Sequence, residues 1–350
     1  MGGDETEAGE RRRRRRVNVI SIILIIIASL VILFNLLKTK DTDAAEMRAK
    51  YGGAASQFLD VQPGFTVHVR DEGPRDAPVL LLLHGSNASL HTWEPWVERL
   101  SDRYRVVTLD LQGHGLTGPH PDGCYSSACM ADTVEAVRSQ LGIERLAIGG
   151  SSMGGRVAIS WALAHPEDVA AVILVNAAGA PQPETGAAPA SGRTPTGFSI
   201  ARIPVVRDLA AVITPRVLIA RSLESTVVVK EPAASPEAVD RYWELLRYPG
   251  NRQATIQRFA TPTTRVTALE LKPLREMPVL ILWGADDPLF PQEVARRFAD
   301  ALPDARLALL PGVGHLPQEE APDESVDALT RFLADLPPYG MPEEALQTAG

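Results

Sequence analysis

The sequence is poor in cysteine: its 350 residues contain two, Cys124 and Cys129. That excludes a disulfide framework as the source of stability, and a lone C-x4-C pair is a poor zinc site. The pair fits either a disulfide closing a short loop or two reduced, unrelated thiols. Also lacking is a surplus of positive charge. The formal net charge is −8, and residues 1–40 hold eight of the 35 basic residues but four of the 43 acidic ones. The remainder, 27 basic against 39 acidic, carries −12, which argues against a nucleic acid as partner. With 45% hydrophobic residues the chain can build one large core or two modest ones, so disorder throughout is excluded as well.

Charge is absent altogether from residues 17–37, where Asn18, Ser21, Ser29 and Asn35 alone interrupt 21 otherwise apolar positions. As a helix this stretch spans about 31 Å, the thickness of a bilayer's hydrocarbon core, and it reads as a transmembrane helix. Arg11 to Arg16 precede it, against Lys38 and Lys40 beyond it. The positive-inside rule therefore keeps the basic tail, residues 1–16, in the cytoplasm and sends the rest across. The exit sequence Leu37-Lys38-Thr39-Lys40-Asp41 offers no small-residue cleavage site, so the segment reads as an uncleaved signal-anchor. Residues 38–57 follow as a polar linker.

Beyond the linker the pattern is rhythmic. Phe65 to Asp71 alternates apolar and polar residues like an edge strand, and Pro78 to Leu83 is apolar without alternation, like a strand covered on both faces. Similar runs recur at Tyr104 to Leu109, Arg145 to Ile148, Val169 to Val175, Pro278 to Leu282 and Arg306 to Leu310. Helix-length amphipathic segments lie between most of them: Trp93 to Leu100, Ala128 to Leu141, Met153 to His165, Pro291 to Ala301 and Pro322 to Leu336. Such alternation predicts an α/β fold, a parallel sheet with helices on both faces and its site at the carboxyl ends of the strands. Strand signals are missing between Asn176 and about Val266, an interval too long for a plain connection. Helix-like pieces at Ile203 to Leu218 and Pro236 to Tyr248 make it an inserted, mainly helical cap over residues 181–265. Residues 58–180 and 266–337 then form the two parts of the core, and residues 338–350 a flexible tail.

Gly150-Ser151-Ser152-Met153-Gly154 sits between an apolar strand-like run and a helical one, as a G-x-S-x-G nucleophile elbow with Ser152 at the turn. Small residues flank the turn because strand and helix crowd together there. Alone the pattern is weak, but three further signals fall at strand ends. His84-Gly85-Ser86 places backbone N–H groups where an oxyanion would form, and Ser86 and Met153 are the candidate donors. His84 itself reads as structural. Trp283-Gly284-Ala285-Asp286-Asp287-Pro288 offers a carboxylate to orient an imidazole, with Asp286 and Asp287 both eligible. Gly312-Val313-Gly314-His315-Leu316-Pro317 carries a histidine on an adaptable loop, suited to a general base.

The chain order serine, aspartate, histidine, together with LLLHGSNASLHTW, VVTLDLQGHGLTGP, GGSSMGG, LILWGADDPLFP and GVGHLPQEEAP, resembles the α/β-hydrolase superfamily in its cap-bearing serine branch, over roughly residues 58 to 337. The resemblance implies an eight-stranded-type sheet and a catalytic triad Ser152, Asp287 and His315, with the acid on the third residue after Gly284. It assigns the Asp110 to Gly115 turn, and with it His114, a structural role. It implies hydrolysis of a small-molecule acyl ester or a lipid-like substrate through an acyl-enzyme, without metal or other cofactor, as in monoacylglycerol-lipase-like and carboxylesterase members. Carbon-carbon hydrolysis of ring-fission products and cofactor-free haloperoxidase activity are the alternatives within the branch. A non-catalytic ligand sensor fits less well, since all three triad positions are filled. Serine in place of aspartate at the elbow disfavours opening of epoxides and removal of halides.

Overall fold

The computed structural model describes residues 3–181, 212–261, 266–337 and 339. It contains one eight-stranded sheet with the order β1-β2-β4-β3-β5-β6-β7-β8. The strands are β1 (Ser56–Gln62), β2 (Phe65–Glu72), β3 (Val79–Leu83), β4 (Arg105–Leu109), β5 (Leu146–Ser151), β6 (Val169–Val175), β7 (Val279–Gly284) and β8 (Arg306–Leu310). The pairs β1–β2 and β2–β4 are antiparallel, and every later pair is parallel. Strand β3 shows why the parallel part reads as continuous grease. Leu81 and Leu83 face one core layer with Val134, Val157 and Trp161, while Leu80 and Leu82 face the other with Trp93, Trp96 and Phe332. Successive side chains point to opposite faces, so a strand covered on both sides needs an apolar residue at every position. The helices supplying those layers are α3 (Glu94–Leu100), α4 (Ser127–Gln140), α5 (Met153–Ala164), α9 (Gln292–Ala301) and α11 (Pro322–Leu333), and a short turn of helix, α10 (Pro317–Glu320), precedes the last of them.

At the N-terminus, α1 runs over Gly3–Leu37, longer than the apolar stretch alone. Its segment Asn18–Leu37 has a mean hydropathy of 3.0 and no residue buried in the protein, so it is long and apolar enough to cross a membrane. Residues 38–57, read from sequence as a linker, instead carry helix α2 (Ala44–Tyr51), capped by the Asp43 carboxylate accepting from the Glu46 N–H at 2.9 Å, and the first residues of β1.

Between β6 and β7 lie α6 (Arg216–Glu224), α7 (Pro236–Leu246) and α8 (Asn251–Ala260), with no strand among the described residues. Most of the helix expected at Ile203 to Leu218 falls outside the described residues, and the described part becomes helical only from Arg216, after Pro215. Helix α7 begins as expected, with Ser235 accepting from the Ala238 N–H and Pro236 in the first turn. Helix α8 has no counterpart in the sequence reading. Its polar segment (NRQATIQRFA) lacks a clear apolar stripe.

The segment after α1 is tied to these inserted helices. Thr39 N–H donates to Val212 O, Thr42 N–H to Arg247 O, and Arg252 of α8 donates from Nη2 to Asp41 at 2.6 Å. From the other side the Tyr51 carbonyl accepts from Arg70, at 2.9 Å, and from the ring of His91 at 2.8 Å, whose other nitrogen faces Ser89 Oγ at 2.9 Å. Burial holds this imidazole down to about 4, from an ordinary value of 6.5, with Arg70 and Arg241 adding to the effect. The folded protein thus binds the proton less readily than the unfolded chain. The stability involved is fully present above pH 6.5 and is lost as pH falls towards 4, on the order of 3 kcal/mol at its fullest. Urea unfolding of the full chain in detergent between pH 7 and 4.5 is expected to show this loss, and His91→Gln a shallower dependence. Parallel slopes for the two proteins would assign the acid sensitivity elsewhere.

Candidate active site

Strand β5 enters α5 through Ser152, whose φ of 52° and ψ of −117° belong to a region that side chains seldom adopt. Crowding explains the glycines around it. A Cβ on Gly150 would lie 2.2 Å from the carbonyl carbon of Gly154, and one on Gly154 would lie 2.2 Å from Leu83 O. The turn is locked by Ser152 N–H donating to Val175 O at 3.0 Å and by Ala178 N–H donating to Ser152 O at 2.8 Å. Ser151, the neighbouring hydroxyl, is fully buried and faces Gln318.

Against this elbow packs the turn after β3. A Cβ on Gly85 would stand 3.2 Å from Ser152 Cβ, and Ser86 Oγ lies 3.7 Å from the Met153 sulfur. Met153 opens α5, so its N–H has no acceptor within the helix. His84 is buried and spent locally, with Nδ1 at 2.8 Å from Gly85 O and Nε2 accepting from Leu111 N–H at 3.0 Å. Burial keeps its pKa below the ordinary value, in line with a structural role. The same holds for His114, whose Nδ1 faces Gln112 O, and which burial together with the Arg258 charge holds well below that value.

The two aspartates after β7 part company. Asp286 is exposed and accepts from Gly312 N–H at 2.7 Å. Asp287 is buried, and its Oδ2 meets His315 Nδ1 at 2.7 Å. The same oxygen accepts from Asn176 Nδ2 at 2.5 Å, and Oδ1 accepts from Leu289 N–H at 2.7 Å. His315 sits on the loop after β8 with Phe290 edge-on to its ring, 5.3 Å between centroids.

Two residues of this region were not singled out from sequence. Asn176, one residue past the Val175 that anchors the elbow, accepts from Gly284 N–H at 2.9 Å and so turns its amide towards Asp287. Its positive φ of 40° suits asparagine, but a lone asparagine after a strand gives no other signal. Glu320 accepts from the backbone N–H groups of Gly314, at 3.0 Å, and Leu316, at 2.9 Å, on either side of His315. It also accepts from Val228 and Val229 of the inserted segment, at 2.8 and 2.9 Å. One carboxylate thereby fixes the histidine loop and joins it to the insertion.

A continuous serine-histidine-aspartate chain lies elsewhere, through Ser56, His68 and Asp110. Ser56 Oγ lies 2.7 Å from His68 Nε2, and His68 Nδ1 lies 2.7 Å from Asp110 Oδ2. Here, however, the serine hydroxyl donates to Gly52 O, and His68 and Asp110 have no exposed surface. Burial pushes the Asp110 carboxyl up, but the adjacent imidazole outweighs this and holds it below the usual range. Asp110 also accepts from Leu90 and Leu116 N–H, so this set fastens β1, β2 and the following loops together.

An elbow thus lies at the carboxyl end of β5, packed against the turn after β3, with an aspartate-histidine pair after β7 and β8. A profile described as alpha/beta hydrolase fold matches residues 78–322. The chain belongs to the α/β-hydrolase family. Among relatives of this hydrolase is a 2-hydroxy-6-oxononadienedioate/2-hydroxy-6-oxononatrienedioate hydrolase of Pseudomonas sp., 27% identical over 82% of this chain and 100% of that protein. An esterase of Thermogutta terrifontis superposes with a TM-score of 0.65 at 25% identity, covering 80% of this chain and 98% of the esterase. A membrane phospholipase A described as a bacterial virulence factor shares the fold over 92% of this hydrolase and 98% of its own chain, with a TM-score of 0.65 at 24% identity.

Proposed function

We propose that this hydrolase is a membrane-anchored serine esterase that works through an acyl-enzyme on Ser152, and the observation that carries the reading is the buried Asp287–His315 pair beside a serine held in an elbow conformation. Ser152 Oγ attacks the ester carbonyl carbon while His315 Nε2 takes the hydroxyl proton. Asp287 holds the Nδ1–H tautomer and stabilises the imidazolium that forms. Negative charge on the carbonyl oxygen is met by the N–H groups of Met153 and Ser86. Collapse of the intermediate expels the alcohol, which leaves with the proton from His315. Water, deprotonated by the same imidazole, then attacks the acyl-serine, and the acid departs as Ser152 is reprotonated.

The helix α1 is the anchor in this reading, and the arginine run before it sets the N-terminus in the cytoplasm. A disulfide between Cys124 and Cys129, which the structure pairs, fits a catalytic domain outside the reducing cytosol. The inserted residues 181–265 act as the cap that chooses the substrate. The esterase likeness favours carboxylic esters. The relative acting on a 2-hydroxy-6-oxo dienedioate, matched along its full length, gives carbon-carbon hydrolysis as the second reading.

Treatment of the full chain in detergent with a fluorophosphonate is expected to add one label, mapped by peptide mass to Ser152, and heat denaturation to abolish it. Label on another residue, or none, removes the serine-hydrolase reading. Nitrophenyl esters of increasing acyl length, assayed beside a vinylogous 1,5-diketone, separate the two substrate classes: turnover of the diketone alone would replace the ester reading by the second.

A further inference from the structure

Helix α8 brings an arginine to the donor turn. Arg258 Nη1 donates to Ser86 Oγ at 2.7 Å and Nη2 to Asn87 Oδ1 at 3.0 Å. Thr255, one turn earlier on the same helix, adds a weaker contact to Asn87 Oδ1 at 3.5 Å. Asn87 has a φ of 61°, in the left-handed region that asparagine adopts more readily than most residues, and these contacts hold its side chain. The guanidinium rests over the Phe259 ring, 4.4 Å from its centroid, and its Nε is shut off from solvent with no partner.

Five other partly buried arginines have a carboxylate partner: Arg70 meets Glu94, Arg105 meets Asp71, Arg138 meets Glu135, Arg241 meets Glu319 and Arg252 meets Asp41. Arg247 and Arg297 form no such pair either, but neither lies at the elbow, and Arg258 is the one whose guanidinium holds the Ser86–Asn87 turn. Among the described residues no carboxylate forms an ion pair with Arg258, and burial alone brings it down to about 10, still charged at neutral pH. A half-buried cation with no carboxylate partner among the described residues is unfavourable, and the neighbouring Asn and Ser side chains offer only dipoles in return. Its field reaches that turn instead: burial is the main cause of the lowered His84 pKa there and of the lowered His114 pKa on the adjacent Asp110–Gly115 turn, and the Arg258 charge adds to both. In the serine-hydrolase reading, on which this inference rests, negative charge does arrive at that turn, transiently, on the substrate's carbonyl oxygen.

We propose that Arg258 is a positioning residue that latches the inserted helices onto the Ser86–Asn87 turn and supplies the positive charge that the oxyanion meets there. It works through Ser86: the guanidinium fixes the side chain and the turn, and the adjacent N–H is aimed at the reacting oxygen. The insertion is thereby part of the oxyanion site, and a cap lifted from the turn would leave the hole both mobile and less positive.

The test uses the full chain in detergent, p-nitrophenyl butyrate as substrate and phenylboronic acid as a ligand that becomes a tetrahedral anion on a nucleophilic serine. Arg258→Gln is expected to lower kcat about 10- to 100-fold, somewhat less than loss of a direct oxyanion donor, with KM within about threefold. Phenylboronic acid should weaken in parallel with kcat, a change that a merely structural role would not produce. Arg258→Lys should recover part of the loss. Ser86→Ala, which keeps its N–H, should lower kcat alone but add less than about twofold in the Arg258→Gln background, since the two act as one unit. Unchanged kcat in Arg258→Gln, a loss confined to KM, or unchanged boronate affinity would each overturn the proposal. Should Arg258→Gln fail to fold, Arg258→Lys and Ser86→Ala decide instead, and normal kcat in both overturns it. Failure of the underlying reading looks different. Ser152→Ala would then retain turnover, whereas failure of this proposal alone leaves fluorophosphonate labelling of Arg258→Gln at the wild-type rate and still dependent on Ser152.

Discussion

Ser152→Ala is expected to lower kcat for p-nitrophenyl butyrate by about 10^5- to 10^6-fold, the scale on which a serine nucleophile of a triad matters, while leaving a folded protein. The residual rate would come from the oxyanion donors and from binding, which do not use the hydroxyl. The elbow makes a further expectation possible, because the conformation of Ser152 disfavours any side chain. Strain of this kind is worth about 1–3 kcal/mol, and glycine at the position would relieve it at an entropic penalty of about 0.5–1 kcal/mol. Ser152→Gly should therefore abolish turnover and yet melt about 1–2 °C above Ser152→Ala, a gain of about 1 kcal/mol. The partly exposed serine side chain makes little packing contribution that glycine would forfeit. If the glycine variant melts below the alanine variant, the backbone at residue 152 is not strained in the sense argued, even if both are inactive.

The parts of this architecture visible in the sequence are those that leave a periodic or clustered trace. Strands β3, β6 and β7 are buried on both faces and show as apolar runs, and the elbow glycines show because a Cβ would collide with facing backbone. Strand β1 escaped notice because it is a half-buried edge strand with a mixed sequence, SQFLDVQ, which neither alternates strictly nor runs apolar. Helix α2 and helix α8 escaped because polar contacts, not apolar stripes, hold much of their surface: Asp41 and Arg252, Lys50 and Glu244, Arg258 and Ser86. Each pair lies between about 170 and 210 residues apart in the chain, and only the folded arrangement reveals it. Asn176 is hidden in the same way, by a partner 108 residues away, whereas Glu320 meets Gly314 and Leu316 six and four residues back and is hidden because a loop has no periodic trace. Their side chains serve backbone groups brought close by the ends of β6, β7 and β8, and a single amide or carboxylate in a sequence does not announce which N–H groups it will meet.

Glu320 joins the His315 loop to Val228 and Val229, His315 N–H donates to Thr226 O, and Arg258 joins α8 to the turn at Ser86. The insertion therefore touches both halves of the proposed reaction centre, the His315 loop and the Ser86 turn. Asp41 and Thr42 fasten the other side of the same insertion to the segment leaving α1. In a membrane-anchored esterase this chain of contacts would fix the orientation of the cap, not just of the core, relative to the bilayer.

Asp287→Asn is expected to lower kcat about 10^4-fold and to lower the melting temperature by a few degrees, and Asp286→Asn to leave kcat within about threefold. The difference lies in what surrounds each carboxylate. Asp287 accepts from three donors: His315 Nδ1 and Asn176 Nδ2 at one oxygen and Leu289 N–H at the other. An asparagine must replace one of those oxygens by an NH2. Placed towards Leu289, the amide would face a backbone N–H, donor against donor. Placed towards His315, it would face the Asn176 amide, which cannot turn away without giving up its bond from Gly284 N–H. It would also force His315 to accept at Nδ1 and carry its proton on Nε2, the nitrogen that must be bare to receive the serine proton. Either orientation leaves a buried donor unpaired, and the second removes the general base by tautomer. Asp286 faces solvent and accepts from Gly312 N–H, which water can replace. Steady-state kinetics of the two variants, with Asn176→Leu as a third expected to lose about tenfold through looser support of Asp287, decides the matter. Full activity in Asp287→Asn combined with loss in Asp286→Asn would transfer the role to the exposed carboxylate and break the link between the buried pair and the chemistry.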